Sequence, residues 1–417
     1  MSNLSYMEKL LDGVEVVWFP ISEVTERTTN IKWRETSKSH QYIDLTSVSV
    51  DTKKIIETTE VKASNAPSRA QKLVKKDDVL FATTRPTQMR YCLIDEEYNG
   101  AVASTGYCVL RVKRDVTLPK WILHLISSSD FKKYLEENQS GSAYPAISDA
   151  KVKDFNIPIP CPDNPEKSLA IQAEIVRILD AFTAMTAELT AELTAELNMR
   201  KKQYNYYRDQ LLSFEEGEVE WKTLSEMAEY SKARICYTEL DGSNYVGVES
   251  LLQNRAGKID SIRTPDSGNL TQYNPDDILI GNIRPYLKKI WHADRVGGTN
   301  GDVLVVHPTD TAINPRYLYQ VLADDKFFEY NMQHAKGAKM PRGNKPKIME
   351  YLVPIPFASD REKSLSEQER IVTILDKFDT LTSSITEGLP REIELRQKQY
   401  EYYRDMLLSF PKSDEVA

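Results

Sequence analysis

The longest regular pattern of apolar and polar positions in the chain runs from Gln172 to Phe214. Its apolar residues recur every three or four positions, so they fall on one face of a helix. They are Ile175, Ile178, Leu179, Phe182, Met185, Leu189, Leu193 and Leu197. No Gly or Pro interrupts the run, and Ala, Glu and Leu favour helices. The pattern predicts one long helix in the middle of the chain.

Both ends of this helix recur near the C-terminus, 196 residues later. Gln368–Phe378 repeats Gln172–Phe182, and Gln399–Phe410 repeats Gln203–Phe214. If the helix is continuous from Ser168 to Phe214, it is roughly 70 Å long at about 1.5 Å per residue, and it has to bury its apolar face. We therefore expect a second long helix, packed on the first as an antiparallel coiled coil.

A region of short strand-like segments precedes each helix. In both regions an Asp-Asp turn leads into an apolar strand that ends at Arg-Pro, at residues 77–86 and 276–285. Later segments also correspond: helical stretches at Trp121–Glu137 and Pro315–Met332, glycine loops at 140–145 and 336–341, and alternating apolar–proline strands at 157–160 and 353–356. Alternating strands mixed with helices predict two α/β (α+β) domains.

The repeat therefore predicts an internal pseudo-two-fold organisation. Residues 1–165 and 215–360 form the two globular domains, residues 166–214 the central helical spacer, and residues 361–417 the C-terminal helical spacer and tail. The globular regions differ much more than the helices do. This is typical of one frame that carries two different recognition modules, although ordinary drift after a duplication is the simpler alternative.

The composition and the motif content of the chain argue against several classes of function. At 417 residues the chain is longer than one core normally serves. The net charge of −8 excludes a uniformly basic surface but allows basic patches. Four scattered cysteines form no C-x-x-C pair, and no segment resembles a membrane span or a signal peptide between Met1 and Leu11, so we expect a cytoplasmic protein without membrane contact. No nucleotide-binding glycine motif and no metal-ligand spacing occurs, so we predict no catalytic residue, metal or cofactor in this chain.

Three consecutive Thr-Ala-Glu-Leu units occupy the middle of the long helix. Their characteristic positions are Thr186, Leu189, Thr190, Leu193, Thr194 and Leu197. Because a helix has 3.6 residues per turn, one unit changes its length by about 6 Å and its rotation by about 40°. One B-DNA step rotates by roughly 34–36°. The units are therefore suited to keeping two DNA-binding modules in phase, although replication slippage in a tolerant helix would also produce them.

Loop segments in both globular regions are locally basic. Lysine, arginine and glutamine in loops are typical of phosphate and base contacts. The candidate DNA-binding residues are Lys72, Lys75, Lys76, Arg85, Gln88, Arg90, Arg284, Tyr286, Lys288, Lys289, Lys336, Lys339, Arg342 and Lys345. Solvated charged loops without a ligand are the alternative, and Arg85 and Arg284 could instead tie a loop to a carboxylate.

The ordered, doubled motifs resemble a known family over nearly the whole chain. They are Asp276–Ile290, the two Ile-Pro-Ile-Pro-like strands, Gln-x-x-Ile-Val-x-Ile-Leu-Asp-x-Phe twice, and Tyr-Tyr-Arg-Asp-x-Leu-Leu-Ser-Phe twice. Together they resemble the specificity subunit of type I restriction–modification enzymes. The Thr-Ala-Glu-Leu units resemble the IC (EcoR124-like) subfamily.

The resemblance implies a non-catalytic subunit with two target recognition domains, each reading half of an interrupted site in double-stranded DNA. It implies two methyltransferase subunits docked on the helices and two restriction subunits. Those partners would hold S-adenosylmethionine, ATP and Mg²⁺. In the family, the number of Thr-Ala-Glu-Leu units sets the spacer between the half-sites.

Two other function classes remain open at this point. A coiled-coil adaptor that binds only proteins would share the helices but would not retain duplex DNA. A self-sufficient DNA methyltransferase or nuclease would need cofactor motifs that the sequence lacks.

Overall fold

The computed structural model describes residue 11 and residues 13–214, 219–384 and 387–410. Most of the segment Met1–Leu11, where we expected no signal peptide, lies outside these residues, as does the tail after residue 410. Within the described parts, the chain forms two sheet-rich domains with a long helix between them and further helices at the end. The predicted class of two mixed α/β domains joined by a helical spacer is confirmed.

Among its described residues, the first domain holds ten strands and four short helices. Its strands are β1 Val16–Pro20, β2 Thr25–Glu26, β3 His40–Ile43, β4 Thr59–Val61, β5 Ala70–Leu73, β6 Val79–Ala82, β7 Tyr91–Leu93, β8 Val102–Ser104, β9 Tyr107–Val112 and β10 Asn156–Pro160. Its helices are α1 Ile21–Val24, α2 Pro119–Leu125, α3 Ser129–Asn138 and α4 Asp149–Lys153. The strands form two four-stranded sheets, ordered β2-β9-β6-β7 and β4-β3-β8-β5, and the pair β1-β10.

The second domain repeats this plan. Its strands are β11 Val219–Thr223, β12 Ala228–Tyr230, β13 Arg234–Cys236, β14 Tyr245–Val246, β15 Asn269–Tyr273, β16 Ile278–Gly281, β17 Ile290–His292, β18 Gly297–Thr299, β19 Val303–Pro308 and β20 Leu352–Pro356. The sheet β12-β19-β16-β17 and the pair β11-β20 match the first domain. The other sheet, β13-β15-β18-β14, carries its extra strand at the opposite edge, next to β15.

Both central strands follow the predicted Asp-Asp turn. Every residue of β6 and β16 is buried, as expected for apolar strands covered on both faces. The second aspartate of each turn also contacts a charged or titratable side chain on another strand, which the turn prediction did not include. Asp78 is buried and forms an ion pair with Arg111 at 2.7 Å. Asp277, also buried, lies 2.5 Å from His307.

Each helical stretch predicted after the strands is in fact two helices. Trp121–Glu137 is divided between α2 and α3, because the Ser128 side chain accepts a hydrogen bond from the Phe131 N–H and begins a new helix. In the second domain, Asp324 does the same for Lys326. It separates α6 Pro315–Leu322 from α7 Asp325–Gln333, and α8 Lys345–Met349 follows.

The central spacer is one helix, α5 Pro165–Leu211, of 47 residues. The prediction that its second copy is equally continuous is wrong. That copy consists of α9 Arg361–Ser383 and α10 Gly388–Leu407. Gly388 has φ +80°, in the left-handed region, and Pro390 follows, so the helix cannot run through this point. The break lies where the first copy carries its Thr-Ala-Glu-Leu units.

The chain divides into two compact units, and each combines a domain with parts of both helical regions. In the first unit, Phe182 of α5 contacts Tyr403 of α10, with ring centroids 6.2 Å apart. The next residue of α5, Thr183, forms a hydrogen bond of 2.9 Å with the hydroxyl of Tyr400, which precedes Tyr403 in α10. The two segments therefore run antiparallel.

The second unit repeats this contact with the roles of the helices exchanged. Phe378 of α9 stacks on Tyr204 and Tyr207 of α5, at 5.9 and 5.3 Å. The arginine after each tyrosine pair is buried: Arg208 donates to the Ala323 carbonyl at 2.9 Å, and Arg404 reaches Ser129 at 3.3 Å. The repeated Tyr-Tyr-Arg-Asp sequence therefore anchors each helix end to a domain.

The helices of the described ranges include none that is both long enough and apolar enough to cross a membrane.

We predict a specific acid sensitivity from His292 in β17. Burial, and then the nearby Arg316, lower the pKa of His292 to about 4. Its folded-state pKa is below the unfolded value of about 6.5, so its contribution to stability is present above pH 6.5 and is lost as the pH falls towards 4. Compared with His292→Gln, the native chain should lose up to roughly 3 kcal/mol more unfolding free energy between pH 7 and pH 4, measured by urea denaturation. His334→Gln is the control, and equal losses for native chain and His292→Gln would contradict this prediction.

Candidate nucleic-acid interface

The exit of each buried central strand has an unusual backbone that is the same in both domains. Arg85 and Arg284 have φ of 49° and 53°, in the left-handed region that non-glycine residues rarely adopt. A proline follows each and begins a short 3₁₀ turn, which ends at a second left-handed residue, Met89 or Lys288. We call residues 85–89 and 284–288 the Arg-Pro turns.

A second loop is bonded to each Arg-Pro turn. The Arg85 N–H donates to the Pro145 carbonyl at 2.7 Å, and the Arg284 N–H donates to the Pro341 carbonyl, also at 2.7 Å. We call residues 140–146 and 336–342 the Gly-Pro loops. Each is closed by a pair of backbone hydrogen bonds between its first and last residues and turns at a left-handed glycine, with φ of 94° and 99°. The strained arginine conformation is therefore held by contacts outside the turn.

Several predicted DNA-binding side chains on these loops point into solvent. Arg85 is exposed, and its guanidinium lies 5.2 Å from the ring centroid of Tyr144 on the Gly-Pro loop. Arg284 is exposed and makes no ion pair or side-chain hydrogen bond with any described residue. Five further candidates on or beside these loops are exposed: Gln88, Tyr286, Lys336, Lys339 and Lys345.

Other predicted residues point inward and hold the fold. Arg90 donates to the Leu45 and Val48 carbonyls, and its counterpart Lys289 donates to the Val248 carbonyl at 2.6 Å. Burial lowers the pKa of Lys289. Lys288 forms an ion pair with Asp325 at 2.8 Å, so its charge is already compensated.

Arg342 lies between these two classes. Its side chain is 53% exposed, but its guanidinium contacts Asp302 at 2.8 Å. An exposed ion pair of this kind can exchange its carboxylate for another anion at little cost.

The first basic segment is also divided. Lys72 is only 16% exposed, and its ammonium contacts Asp149 and the Tyr107 carbonyl. It therefore holds the start of α4 against the sheet. Lys75 and Lys76 are exposed, and Lys76 pairs with Glu96 at 2.9 Å.

The spacer residues lie along α5. Five of the six are half-buried, and Thr194 is exposed, with its hydroxyl donating to the Thr190 carbonyl at 2.7 Å. Such i−4 bonding is common for threonine in a helix and is compatible with a continuous rod.

Sequence reasoning did not select two residues of this region. Tyr144 is 72% exposed at the tip of the Gly-Pro loop, and an aromatic residue between Gly and Pro could have indicated it. Lys53 donates to the Met89 carbonyl at 2.5 Å and supports the end of the Arg-Pro turn. Burial lowers the pKa of Lys53 to about 8. No local signal marks Lys53, because its role depends on a contact 36 residues away in sequence.

Within the described ranges, no cluster of three or more His, Cys, Asp or Glu side chains is arranged to hold a metal ion. The candidate interface consists instead of exposed cations, an amide and aromatic rings on two hydrogen-bonded loops per domain. These groups suit hydrogen bonding and stacking with a polyanion.

Comparison with known proteins identifies the family. The profile described as "Type I restriction modification DNA specificity domain" matches twice, at residues 15–199 and 216–395. The EcoR124I/EcoR124II specificity subunit of Escherichia coli is 40% identical over the full length of both chains. The EcoprrI specificity subunit, also of Escherichia coli, is 34% identical over 93% of each chain.

A solved structure of the type I R-M system, concerned with complex assembly and conformational transition, contains a chain with the same fold. Its TM-score is 0.67 at 20% identity, covering 94% of this chain and 97% of that one. The doubled profile match, the full-length identity and the shared fold agree with the resemblance deduced from the repeated motifs. The chain therefore belongs to the family of DNA specificity subunits of type I restriction–modification systems, and the IC subfamily fits.

Proposed function

We propose that this subunit reads an interrupted site in double-stranded DNA, with one globular domain for each half-site. The observation that carries the proposal is the pair of Arg-Pro turns. Both domains have the same backbone frame and the same arginine, while the exposed side chains around that arginine differ. A frame that is kept while its contact residues change is expected of two modules that bind one kind of ligand with different sequence preferences.

Local charge supports DNA as that ligand in spite of the acidic total. The Gly-Pro loop of the second domain presents Lys336 and Lys339 in solvent, neither paired with a carboxylate of the described residues. Unpaired exposed cations gain by replacing the counterions of a phosphate backbone. A protein-only adaptor would gain from them only with an acidic partner.

The repeated tyrosine pairs on the helices support two copies of one protein partner. Tyr206 and Tyr402 are 60% and 65% exposed. Each makes an edge contact with the tyrosine that follows it, at 5.5 Å and 5.4 Å. Exposed tyrosines on rigid helices are typical interface anchors. We infer that each pair docks one methyltransferase subunit.

The reactions belong to the partners in this proposal. The specificity subunit is non-catalytic, the methyltransferase subunits use S-adenosylmethionine, and two restriction subunits use ATP and Mg²⁺. The assembly acts in the cytoplasm. The helical region sets the number of base pairs between the half-sites.

Removing Thr194–Leu197 should shorten the recognised spacer by one base pair and leave both half-sites unchanged. One unit changes the rotation of α5 by about 40°, close to the roughly 34–36° of one base-pair step. Methylation mapping in a host that expresses the variant and its methyltransferase measures the spacer. Thr194→Ala with Glu192→Gln changes the last two units at constant length and is the control. A changed half-site, or an unchanged spacer, would count against the proposal.

Replacing Lys336 and Lys339 by alanine should weaken DNA binding and flatten its salt dependence. Each lost phosphate contact removes about 0.9 from the slope of log K against log salt, so the double variant should lose about 1.8. The control is Lys232→Ala with Arg295→Ala, which removes two exposed charges that are paired with Glu229 and Asp294. If the slope of the double variant equals that of the native complex, this loop is not at the DNA.

Tyr206→Ala should reduce the assembly from two methyltransferase subunits to one, and Tyr206→Ala with Tyr402→Ala should abolish docking. Loss of a central aromatic anchor typically weakens an interface by more than about tenfold. Native mass spectrometry counts the subunits, and Lys202→Ala, on the same helix, is the control. Two bound copies in the double variant would place the docking surface elsewhere.

A further inference from the structure

The two domains provide an internal comparison of what is fixed and what varies in the interface. The backbone hydrogen bond that joins an Arg-Pro turn to its Gly-Pro loop is the same in both domains, with 2.7 Å from the arginine N–H to the carbonyl of the loop proline. Arg, Pro, Gly and Pro are the same residues in both. The side chains between them differ: Thr87, Gln88 and Tyr144 occupy the positions of Tyr286, Leu287 and Met340.

Two modules that recognise different DNA sequences still contact the same sugar–phosphate backbone. Phosphate contacts position a protein on the duplex and carry no sequence information, whereas base-edge contacts carry it. A residue shared by both modules therefore fits the phosphate contact, and residues that differ fit the base contacts. This step rests on the proposed function, because it assumes one half-site per domain.

The geometry of the arginines agrees with a phosphate role. Neither guanidinium makes an ion pair or side-chain hydrogen bond with a described residue, so all five N–H donors are available. The left-handed backbone is held by the same bond in both domains, which fixes where each side chain begins. In the first domain, the Tyr144 ring centroid lies 5.2 Å from the guanidinium.

The chemistry of the variable positions agrees with base reading. Gln88 is exposed beside Arg85, and a glutamine amide pairs with two edge atoms of adenine. Tyr144, Tyr286 and Met340 are 72%, 48% and 51% exposed, and such apolar surfaces contact the thymine methyl group or stack on a base. None of the four carries a charge, so none competes with the arginine for phosphate.

We propose that Arg85 and Arg284 are equivalent phosphate anchors, and that the uncharged residues beside them select the bases. Gln88 and Tyr144 determine the first half-site, and Tyr286 and Met340 determine the second. In each domain the arginine thus provides affinity and the uncharged residues near it provide specificity, on two loops that are joined by a hydrogen bond.

The test uses the full chain assembled with its methyltransferase, after methylome sequencing has defined the native site. Binding is measured at several salt concentrations on the native duplex and on duplexes with single changes in either half-site. Arg85→Ala should weaken binding to all of these duplexes by the same factor, about tenfold, and lower the salt slope by about 0.9, with unchanged methylated sequences. Arg114→Ala is the matched control, because it removes an exposed charge of the same domain that is paired with Asp77.

Gln88→Ala and Tyr144→Ala should relax the first half-site at one or more positions, leave the second intact and keep the native salt slope. Tyr286→Ala and Met340→Ala should do the reverse. The proposal is overturned if Arg85→Ala changes the bases that are read, or if variants of the uncharged residues alter neither half-site while the native complex binds its site. If the native complex retains no duplex DNA, the proposed function itself fails.

Discussion

The apolar face of the helical spacers is the constraint on which the rest of this structure depends. A helix of 47 residues with such a face is stabilised when the face is covered, and each compact unit covers part of α5 with a segment of the other helical region. Met185, on the same face, remains exposed. The covering contacts are equivalent: Phe182 meets Tyr403 in one unit, and Phe378 meets Tyr207 in the other. The similarity of the two ends of the helical repeats agrees with this reciprocity, since these ends carry the contacts that each copy makes with the other.

The globular domains are free of that constraint at their loops. The buried central strands and the Arg-Pro turns have the same backbone conformation in both domains, because strand pairing and the left-handed arginine leave few alternatives for the backbone. The outer loops differ, and even the edge strand of one sheet changes sides between the domains, from β4 beside β3 to β13 beside β15. Divergence is therefore concentrated where side chains reach solvent, which is also where sequence preference for a ligand is determined.

Short sequence patterns correctly predicted the elements whose formation depends on neighbouring residues. The Asp-Asp turns, the buried strands and the long helix all have short-range signals, and the doubled motifs identified the family. Two short-range signals were overlooked because the repeat was so clear. Gly388 with Pro390 interrupts a helical region that the repeated motifs on both sides suggested was continuous, and Ser128 divides another. The direction of each basic side chain could not be predicted. Arg85 and Arg90 lie five residues apart in one motif, yet one reaches solvent and the other bonds to carbonyls more than 40 residues away.

We propose that one chain carries two independent recognition modules, each joined to parts of the two helical regions. Single-molecule methylome sequencing of a host that expresses this subunit with its methyltransferase tests it most directly. The account predicts methylation at an interrupted site with two different half-sites and a spacer of fixed length. Methylation of one continuous sequence, or of a site whose two halves change together when a single domain is replaced, would contradict it.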